Sequence, residues 1–173
     1  MTGSRSIITP HRSVLIVDDE EHVRAGLARV LERDGYATLT AETGEEALAM
    51  MGDRAIHIVI SDFNMPGCGG IELFKRLRQS HPHVLRILLT GEDDPELPVR
   101  AINEAEVYRF IRKPWNNQDL RTILRLAFDV VLLEEEKRKL LAIVRRLRAS
   151  GKGGISPTEE ELLLLAEADI LGD

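Results

Sequence analysis

Residues 58–67 read Ile-Val-Ile-Ser-Asp-Phe-Asn-Met-Pro-Gly and join a predicted buried strand to a predicted loop. Its apolar, β-branched start, Ile58 to Ile60, predicts a buried strand. The run ends at a carboxylate, Asp62, and the Asn, Pro and Gly that follow are typical of loops. A carboxylate held at the end of a buried strand is placed for chemistry. The alternative interpretation is that Asp62 only caps the helix predicted to begin near Gly69.

Strands and helices are predicted to alternate along the chain. Strands are expected at residues 14–17, 36–41, 56–60, 84–89 and 107–111. Helices are expected between Glu20 and Gly35 and at residues 43–51, 69–79, 98–105 and 117–149. This alternation predicts a parallel α/β sheet that is covered by helices on both faces. In such sheets the functional site lies at the carboxyl ends of the strands.

The predicted strand ends carry a set of polar side chains that suits phosphoryl chemistry. They are Asp18, Asp19 and Glu20 after the first strand, Asp62 after the third, Thr90 after the fourth and Lys113 after the fifth. Clustered carboxylates need a cation, and oxygen ligands of this kind suit Mg²⁺. A lysine and a hydroxyl beside them suit phosphoryl oxygens. The natural nucleophile is the carboxylate on the central strand.

The amino-acid composition argues against several classes of protein. The net charge of -6 and the aromatic content of 4% give no reason to expect a nucleic-acid partner. The single cysteine, Cys68, excludes an internal disulfide. The sequence lacks both an apolar run of the roughly 20 residues that a membrane span needs and a signal-peptide pattern. A soluble cytoplasmic protein with no membrane contact is expected.

Residues 13–127 resemble the receiver domain of bacterial two-component response regulators in the order and spacing of four motifs. The matching segments are Val17-Asp18-Asp19-Glu20, residues 61–67, Leu89-Thr90-Gly91 and Lys113-Pro114. The resemblance implies a flavodoxin-like, doubly wound, five-stranded parallel sheet with strand order 2-1-3-4-5. Cys68 and Gly69 depart from the family, which has Met and Asp there, and the change is expected to weaken the N-cap of the next helix.

The resemblance also implies roles for single residues. Asp62 would accept a phosphoryl group from the phosphohistidine of a sensor histidine kinase or a phosphotransfer protein. The Mg²⁺ ligands would be Asp19 directly, Asp18 largely through water, Asp62, and the backbone carbonyl of Asn64. Thr90 and Lys113 would each bind a phosphoryl oxygen, Phe110 would be the switch aromatic that follows Thr90, and the Lys113–Pro114 bond is typically cis.

Two other functions can be weighed against this one. A hydrolase with Asp62 as nucleophile needs a second Asp two residues later, and Asn64 at that position cannot act as general acid. We therefore expect no enzyme activity beyond self-phosphorylation and self-dephosphorylation at Asp62. The other alternative is a receiver-plus-linker fragment of a larger regulator, with a cyclic-di-nucleotide phosphodiesterase or a DNA-binding output domain outside this chain.

The ends of the chain are predicted to carry separate segments. Residues 1–12 are expected to be flexible, 128–150 to extend the last helix, 151–155 to form a glycine-rich hinge, and 156–173 to form a short acidic amphipathic helix. The extension has a heptad seam that predicts a coiled-coil homodimer. Its seam positions are Leu126, Val130, Leu133, Lys137, Leu140, Val144 and Leu147. We expect the acidic terminal helix to fold back onto the basic residues 137–152.

Overall fold

The computed structural model describes residues 12–52, 54–91 and 105–149. Within them five parallel strands form one sheet in the order β2-β1-β3-β4-β5. The strands are β1 (Ser13–Val17), β2 (Ala37–Ala41), β3 (Ile58–Asp62), β4 (Leu85–Thr90) and β5 (Arg109–Arg112). The predicted flavodoxin-like fold and strand order are confirmed.

Two adjacent interior strands of the sheet, β1 and β3, lie in the core and are mostly apolar. Every residue of β1 and of β3 is buried, which is the pattern of a parallel sheet covered by helices on each side. The strand β5 differs, since Arg109 and Arg112 at its ends are exposed. This edge position explains why the strand begins two residues later than the predicted residue 107.

In the part of the chain that the structure describes, three helices connect consecutive strands. They are α1 (Glu21–Arg33), α2 (Gly44–Met50) and α3 (Gly70–Ser80). The hydroxyl of Thr43 accepts the Glu46 N–H at 3.1 Å and so caps the amino end of α2. The Glu46 carboxylate accepts the N–H of Glu42, one residue before the cap, at 2.7 Å.

Glycines allow the loop after β3 to lie close to its neighbours. A Cβ at Gly70 would overlap the carbonyl oxygen of Asp62, so only glycine lets α3 begin so near the end of β3. A Cβ at Gly44 would lie 2.8 Å from Sγ of Cys68. Cys68 is buried, which agrees with a packing role. Gly69 is the N-cap of α3 and supplies no side-chain hydrogen bond.

The long helix α4 (Asn117–Ala149) has 33 residues, and the extended C-terminal helix is confirmed. The chain divides into two compact units between Phe128 and Asp129. In the first unit, Phe128 stacks on Tyr36 with ring centroids 5.0 Å apart. In the second, Leu133 and Leu140 are exposed. No helix in the described ranges is long and apolar enough to cross a membrane.

Some predictions lie outside the described residues. They are the flexible terminus up to residue 11, nearly all of the helix at 98–105, the hinge at 151–155, and the acidic helix at 156–173 with its fold-back. The domain limits therefore stay predictions.

Candidate functional site

The carboxyl ends of four strands meet at one edge of the sheet. Asp62 is the last residue of β3, and Asp18 directly follows β1, which pairs with β3. Thr90 ends β4, and Lys113 directly follows β5. Since β1, β3, β4 and β5 are consecutive in the sheet, their ends are neighbours. The topology thus places four of the predicted site residues at one edge.

The ammonium group of Lys113 joins two buried carboxylates. Its Nζ lies 2.6 Å from Oδ1 of Asp62 and 2.8 Å from Oδ2 of Asp18. A third carboxylate, that of Glu20, lies 3.8 Å from the same Nζ. Asp18 is 0% exposed and Asp62 is 7% exposed, so water cannot neutralise these charges and the ammonium does.

Backbone amides complete the hydrogen bonding of both carboxylates. The N–H of Asn64 donates to Oδ2 of Asp62 at 2.8 Å, and the N–H of Glu20 donates to Oδ1 of Asp18 at 2.9 Å. Each donor lies two residues after its acceptor, a local turn that Asp favours. The turns hold each carboxylate in place, with its second oxygen directed at Lys113.

The pKa values of Asp62 and Lys113 are both shifted by their surroundings. Burial raises the pKa of Asp62 above its ordinary 3.8, although Lys113 and the amide of Asn64 act in the opposite direction. Burial alone lowers the pKa of Lys113, but its contacts with Asp18 and Asp62 outweigh this and raise it. The lysine is therefore held in its charged form, and ionised Asp62 depends on that charge.

Asp19 differs from Asp18 in exposure. Its side chain points away from the core and forms no hydrogen bond or ion pair within the part of the chain that the structure describes. Its carboxylate oxygens are therefore available to a ligand. Its buried neighbour Asp18, whose predicted role is to reach a metal largely through water, is paired with Lys113.

The donor set fits Mg²⁺. Among the described residues, no three Asp, Glu, His or Cys side chains converge as a ready metal centre. Magnesium needs only one or two carboxylates, because water fills the rest of its octahedral shell. Asp18 and Asp62 already converge on a cation, the Lys113 ammonium, and all their donor atoms are oxygens. The site thus has the chemistry of a hard-cation site.

Thr90 and Phe110 lie on the same face of the sheet. Thr90 is two residues beyond Leu88 on β4, and Leu88 pairs with Phe110 of β5. Thr90 is buried, and its carbonyl accepts the N–H of Lys113 at 2.8 Å. Phe110 is partly buried against the core. The Lys113–Pro114 bond is cis, as predicted.

Two contacts at this edge were not predicted from the sequence. The guanidinium of Arg24, on α1, donates to the carbonyl of Asp18 and so fixes the turn that carries the acidic residues. Trp115 lies beside Gly26 of the same helix, where a Cβ would be 3.7 Å from the indole ring. The only sequence signal for Arg24 is a basic residue early in a helix, where acids are preferred.

The family is established by comparison with known proteins. A family model described as the response regulator receiver domain matches residues 14–125. The chain belongs to this family and is a receiver domain of two-component response regulators, which confirms the resemblance. Receiver domains bind Mg²⁺ for phosphorylation, interact with histidine kinases or phosphotransfer proteins, and are not catalytic beyond their own phosphorylation.

Similar proteins include longer transcriptional regulators. The hydrogenase transcriptional regulatory protein HoxA of Cupriavidus necator is 32% identical over 74% of this chain and 26% of its own length. The C4-dicarboxylate transport transcriptional regulatory protein DctD of Rhizobium meliloti is 32% identical over 92% of this chain and 32% of its own length. The chain thus spans about a third or less of these relatives.

A solved structure supports the same fold. The signal receiver domain of an HD domain-containing protein from Pseudomonas fluorescens Pf-5 is 34% identical, with a TM-score of 0.71. The match covers 77% of this chain and 98% of that one.

Proposed function

We propose that Asp62 accepts a phosphoryl group from the phosphohistidine of a sensor histidine kinase or phosphotransfer protein. The observation that supports this most directly is the Lys113 ammonium, 2.6 Å from Asp62 at the carboxyl edge of the sheet. An oxygen of the Asp62 carboxylate attacks phosphorus, and the bond between phosphorus and the donor imidazole nitrogen breaks. The bonding electron pair stays on that nitrogen, which then takes up a proton. The product is an aspartyl phosphate.

The surrounding residues stabilise the charge of the incoming group. Lys113 would move its contact from Asp62 to a phosphoryl oxygen while it keeps its second contact, with Asp18. The Thr90 hydroxyl, at the end of the neighbouring strand, would donate to another oxygen. Such positioning and charge neutralisation are what phosphoryl transfer requires.

Asp19, Asp18, Asp62 and the backbone carbonyl of Asn64 would hold Mg²⁺. When bound, the ion supplies the neutralising charge for the phosphoryl oxygens. Asp19 is suited to direct contact because it is exposed and unpaired in the described structure. Asp18 is suited to an indirect role, since Lys113 and the Glu20 amide already occupy its two oxygens.

The response to phosphorylation is a change in Thr90 and Phe110. Movement of the Thr90 side chain towards a phosphoryl oxygen vacates space on the face of the sheet that Phe110 shares. Phe110 is only partly buried, so burial of its ring would stabilise the new state by up to about 1.5–3 kcal/mol. The aromatic side chain thus links the site to the surface at β5.

A second copy of the chain is the proposed partner of α4. Leu133 and Leu140 are 63% and 38% exposed, and their spacing of seven residues places them on one helix face. Lys137 lies between them and is exposed. Burial of these leucines in a homodimer would remove apolar surface from water. Sedimentation at several concentrations tests this, and a parent that stays monomeric at all of them contradicts it.

A receiver piece of a larger regulator is the second candidate. It is supported by the small shares, 26% and 32%, of the two transcriptional regulators that the chain matches, and by the similarity to the receiver of an HD domain-containing protein. An output domain, either DNA-binding or a cyclic-di-nucleotide phosphodiesterase, would then lie outside this sequence. The gene's reading frame downstream of residue 173 discriminates between the two candidates.

Phosphorylation is tested by mass spectrometry with acetyl phosphate and Mg²⁺. The parent protein should gain one phosphate, and Asp62→Ala should gain none. Asp119→Ala is the matched control, because Asp119 is an exposed carboxylate in the first turn of α4. If Asp62→Ala gains the same mass as the parent, the assignment of the acceptor is wrong.

A further inference from the structure

Strand β4 carries a buried arginine that the proposed chemistry does not use. Arg86 is 5% exposed, and burial lowers its pKa while Glu106 acts in the opposite direction. Its Nε donates to the carbonyl of Ala105 at 3.0 Å, and its Nη1 donates to the carbonyl of Val84 at 3.0 Å. A buried guanidinium is costly unless such partners satisfy it.

Glu106 lies between two arginines. Its carboxylate is 2.9 Å from Nη2 of Arg78 on α3 and 3.4 Å from Nη2 of Arg86 on β4. Its backbone has a φ of 49°, a left-handed conformation that glutamate rarely adopts. Two ion pairs therefore hold a residue in an unfavourable conformation, at the turn that leads into β5. We call these three residues the Arg78–Glu106–Arg86 cluster.

The cluster holds the amino end of a short strand whose other end carries the site lysine. The N–H of Tyr108 donates to the carbonyl of Arg86 at 2.8 Å, directly before β5. At the other end, the N–H of Lys113 donates to the carbonyl of Thr90 at 2.8 Å. Strand β5 has only four residues, and its one strand neighbour among the described residues is β4, so its position depends strongly on these two ends.

We propose that the Arg78–Glu106–Arg86 cluster is a positioning device that sets the place of β5, and through it the place of the Lys113 ammonium at Asp62. The contact of 2.6 Å between Nζ of Lys113 and Asp62 tolerates little displacement of the strand. Release of Glu106 leaves the Arg86 charge without its carboxylate and loosens the turn. The lysine then spends less time between the two carboxylates, and phosphoryl uptake slows.

Hydrogen exchange in the resting protein tests the structural half of this inference. Arg78→Ala should increase exchange of the amides of residues 107–112. Arg76→Ala is the matched control, because Arg76 lies on the same helix, has similar exposure and also forms an ion pair of 2.9 Å, with Glu72. Glu106→Asn removes the carboxylate while Asn still accepts the left-handed backbone. Exchange that is equal in all these variants and the parent overturns the inference.

The functional half rests on the proposed phosphorylation of Asp62 and is measured as the rate of phosphate uptake from acetyl phosphate with Mg²⁺. Glu106→Asn and Arg78→Ala should each slow uptake about threefold or more, and Arg76→Ala should not. In a Lys113→Ala background, Glu106→Asn should cause no further loss, because its effect passes through the lysine.

The outcomes distinguish a failure of the positioning role of the cluster from a failure of the proposed phosphorylation of Asp62. Uptake that is as fast in Glu106→Asn as in Arg76→Ala overturns the inference. The inference is also overturned if Glu106→Asn lowers the uptake rate by the same factor in the parent and in the Lys113→Ala background, because that result would indicate general destabilisation. If the parent protein takes up no phosphate, the proposed function fails, and the exchange measurement alone then decides whether the cluster holds β5.

Discussion

Replacement of Lys113 by alanine should destabilise the folded protein in a pH-dependent way. The change removes the cation that lies 2.6 Å from Asp62 and 2.8 Å from Asp18. Two largely buried carboxylates are then left without a counter-charge. Loss of one partner of a buried ion pair typically costs about 3–5 kcal/mol. Because the Lys113 side chain is 21% exposed, we expect the low end, about 3 kcal/mol, or about 10 °C in Tm.

The sign of the pH dependence follows from the pKa of Asp62. Burial raises that pKa above 3.8, and Lys113 is the largest opposing influence, so its removal raises the pKa further. A carboxyl group with a raised pKa in the folded state binds its proton more tightly than it does in the unfolded chain. Its contribution to stability is full below pH 3.8 and is lost as pH rises through the folded-state pKa. The cost of Lys113→Ala should therefore be small near pH 4 and full near pH 7.

Thermal unfolding followed by circular dichroism measures this effect. Lys139→Ala, at an exposed lysine of α4, is the control and should change Tm little. The double variant Lys113→Ala/Asp62→Asn should recover most of the Tm that Lys113→Ala loses, because it no longer carries one of the two unpaired carboxylate charges. A Tm of Lys113→Ala at pH 7 as high as that of Lys139→Ala would show that the lysine does not stabilise the two carboxylates. An equal loss of Tm at pH 4 and pH 7 would contradict the role of Asp62 ionisation.

Three further outcomes are expected. In urea denaturation, Gly70→Ala should lower the free energy of unfolding by about 1–3 kcal/mol, because its Cβ would overlap the carbonyl at the end of β3. The control Gly52→Ala, which has open space around its Cβ, should lower that free energy much less. Asp19→Asn should remove most Mg²⁺ binding in calorimetry, and unchanged affinity would exclude a direct ligand role. Beryllofluoride with Mg²⁺ should alter hydrogen exchange between Thr90 and Phe110, and equal exchange with and without it would contradict the proposed switch.

The placement of the site residues could be predicted because a parallel sheet directs all its carboxyl ends to one edge. Asp18, Asp62, Thr90 and Lys113 each end or directly follow a strand, and the structure brings these strands together. The limits of the edge strand β5 were less predictable. Its buried pattern is weak because it has exposed arginines at both ends, and such ends depend on tertiary contacts.

The ion pairs behind the site could not be predicted in the same way. Arg86 is a single basic residue in an apolar strand, and its partner Glu106 lies 20 residues further along the chain. No periodic pattern joins the two, since the fold alone brings the turn before β5 against β4. The unequal burial of Asp18 and Asp19 has a similar cause. The two carboxylates are adjacent in sequence, and only the direction of the chain after β1 decides which one faces Lys113.

Asp62 and Asp18 share one lysine, and their surroundings favour Asp62 as the acceptor. Asp18 is 0% exposed, whereas Asp62 is 7% exposed, and a nucleophile must reach a donor outside the protein. The Asp18 turn is also held by the Arg24 guanidinium, which donates to the Asp18 carbonyl, while Asp62 is the last residue of β3 and is followed by a loop. Lys113 can therefore leave Asp62 for a phosphoryl oxygen and still remain paired with Asp18. On this argument Asp18 supports the lysine, and phosphate should not appear on it when Asp62 is absent.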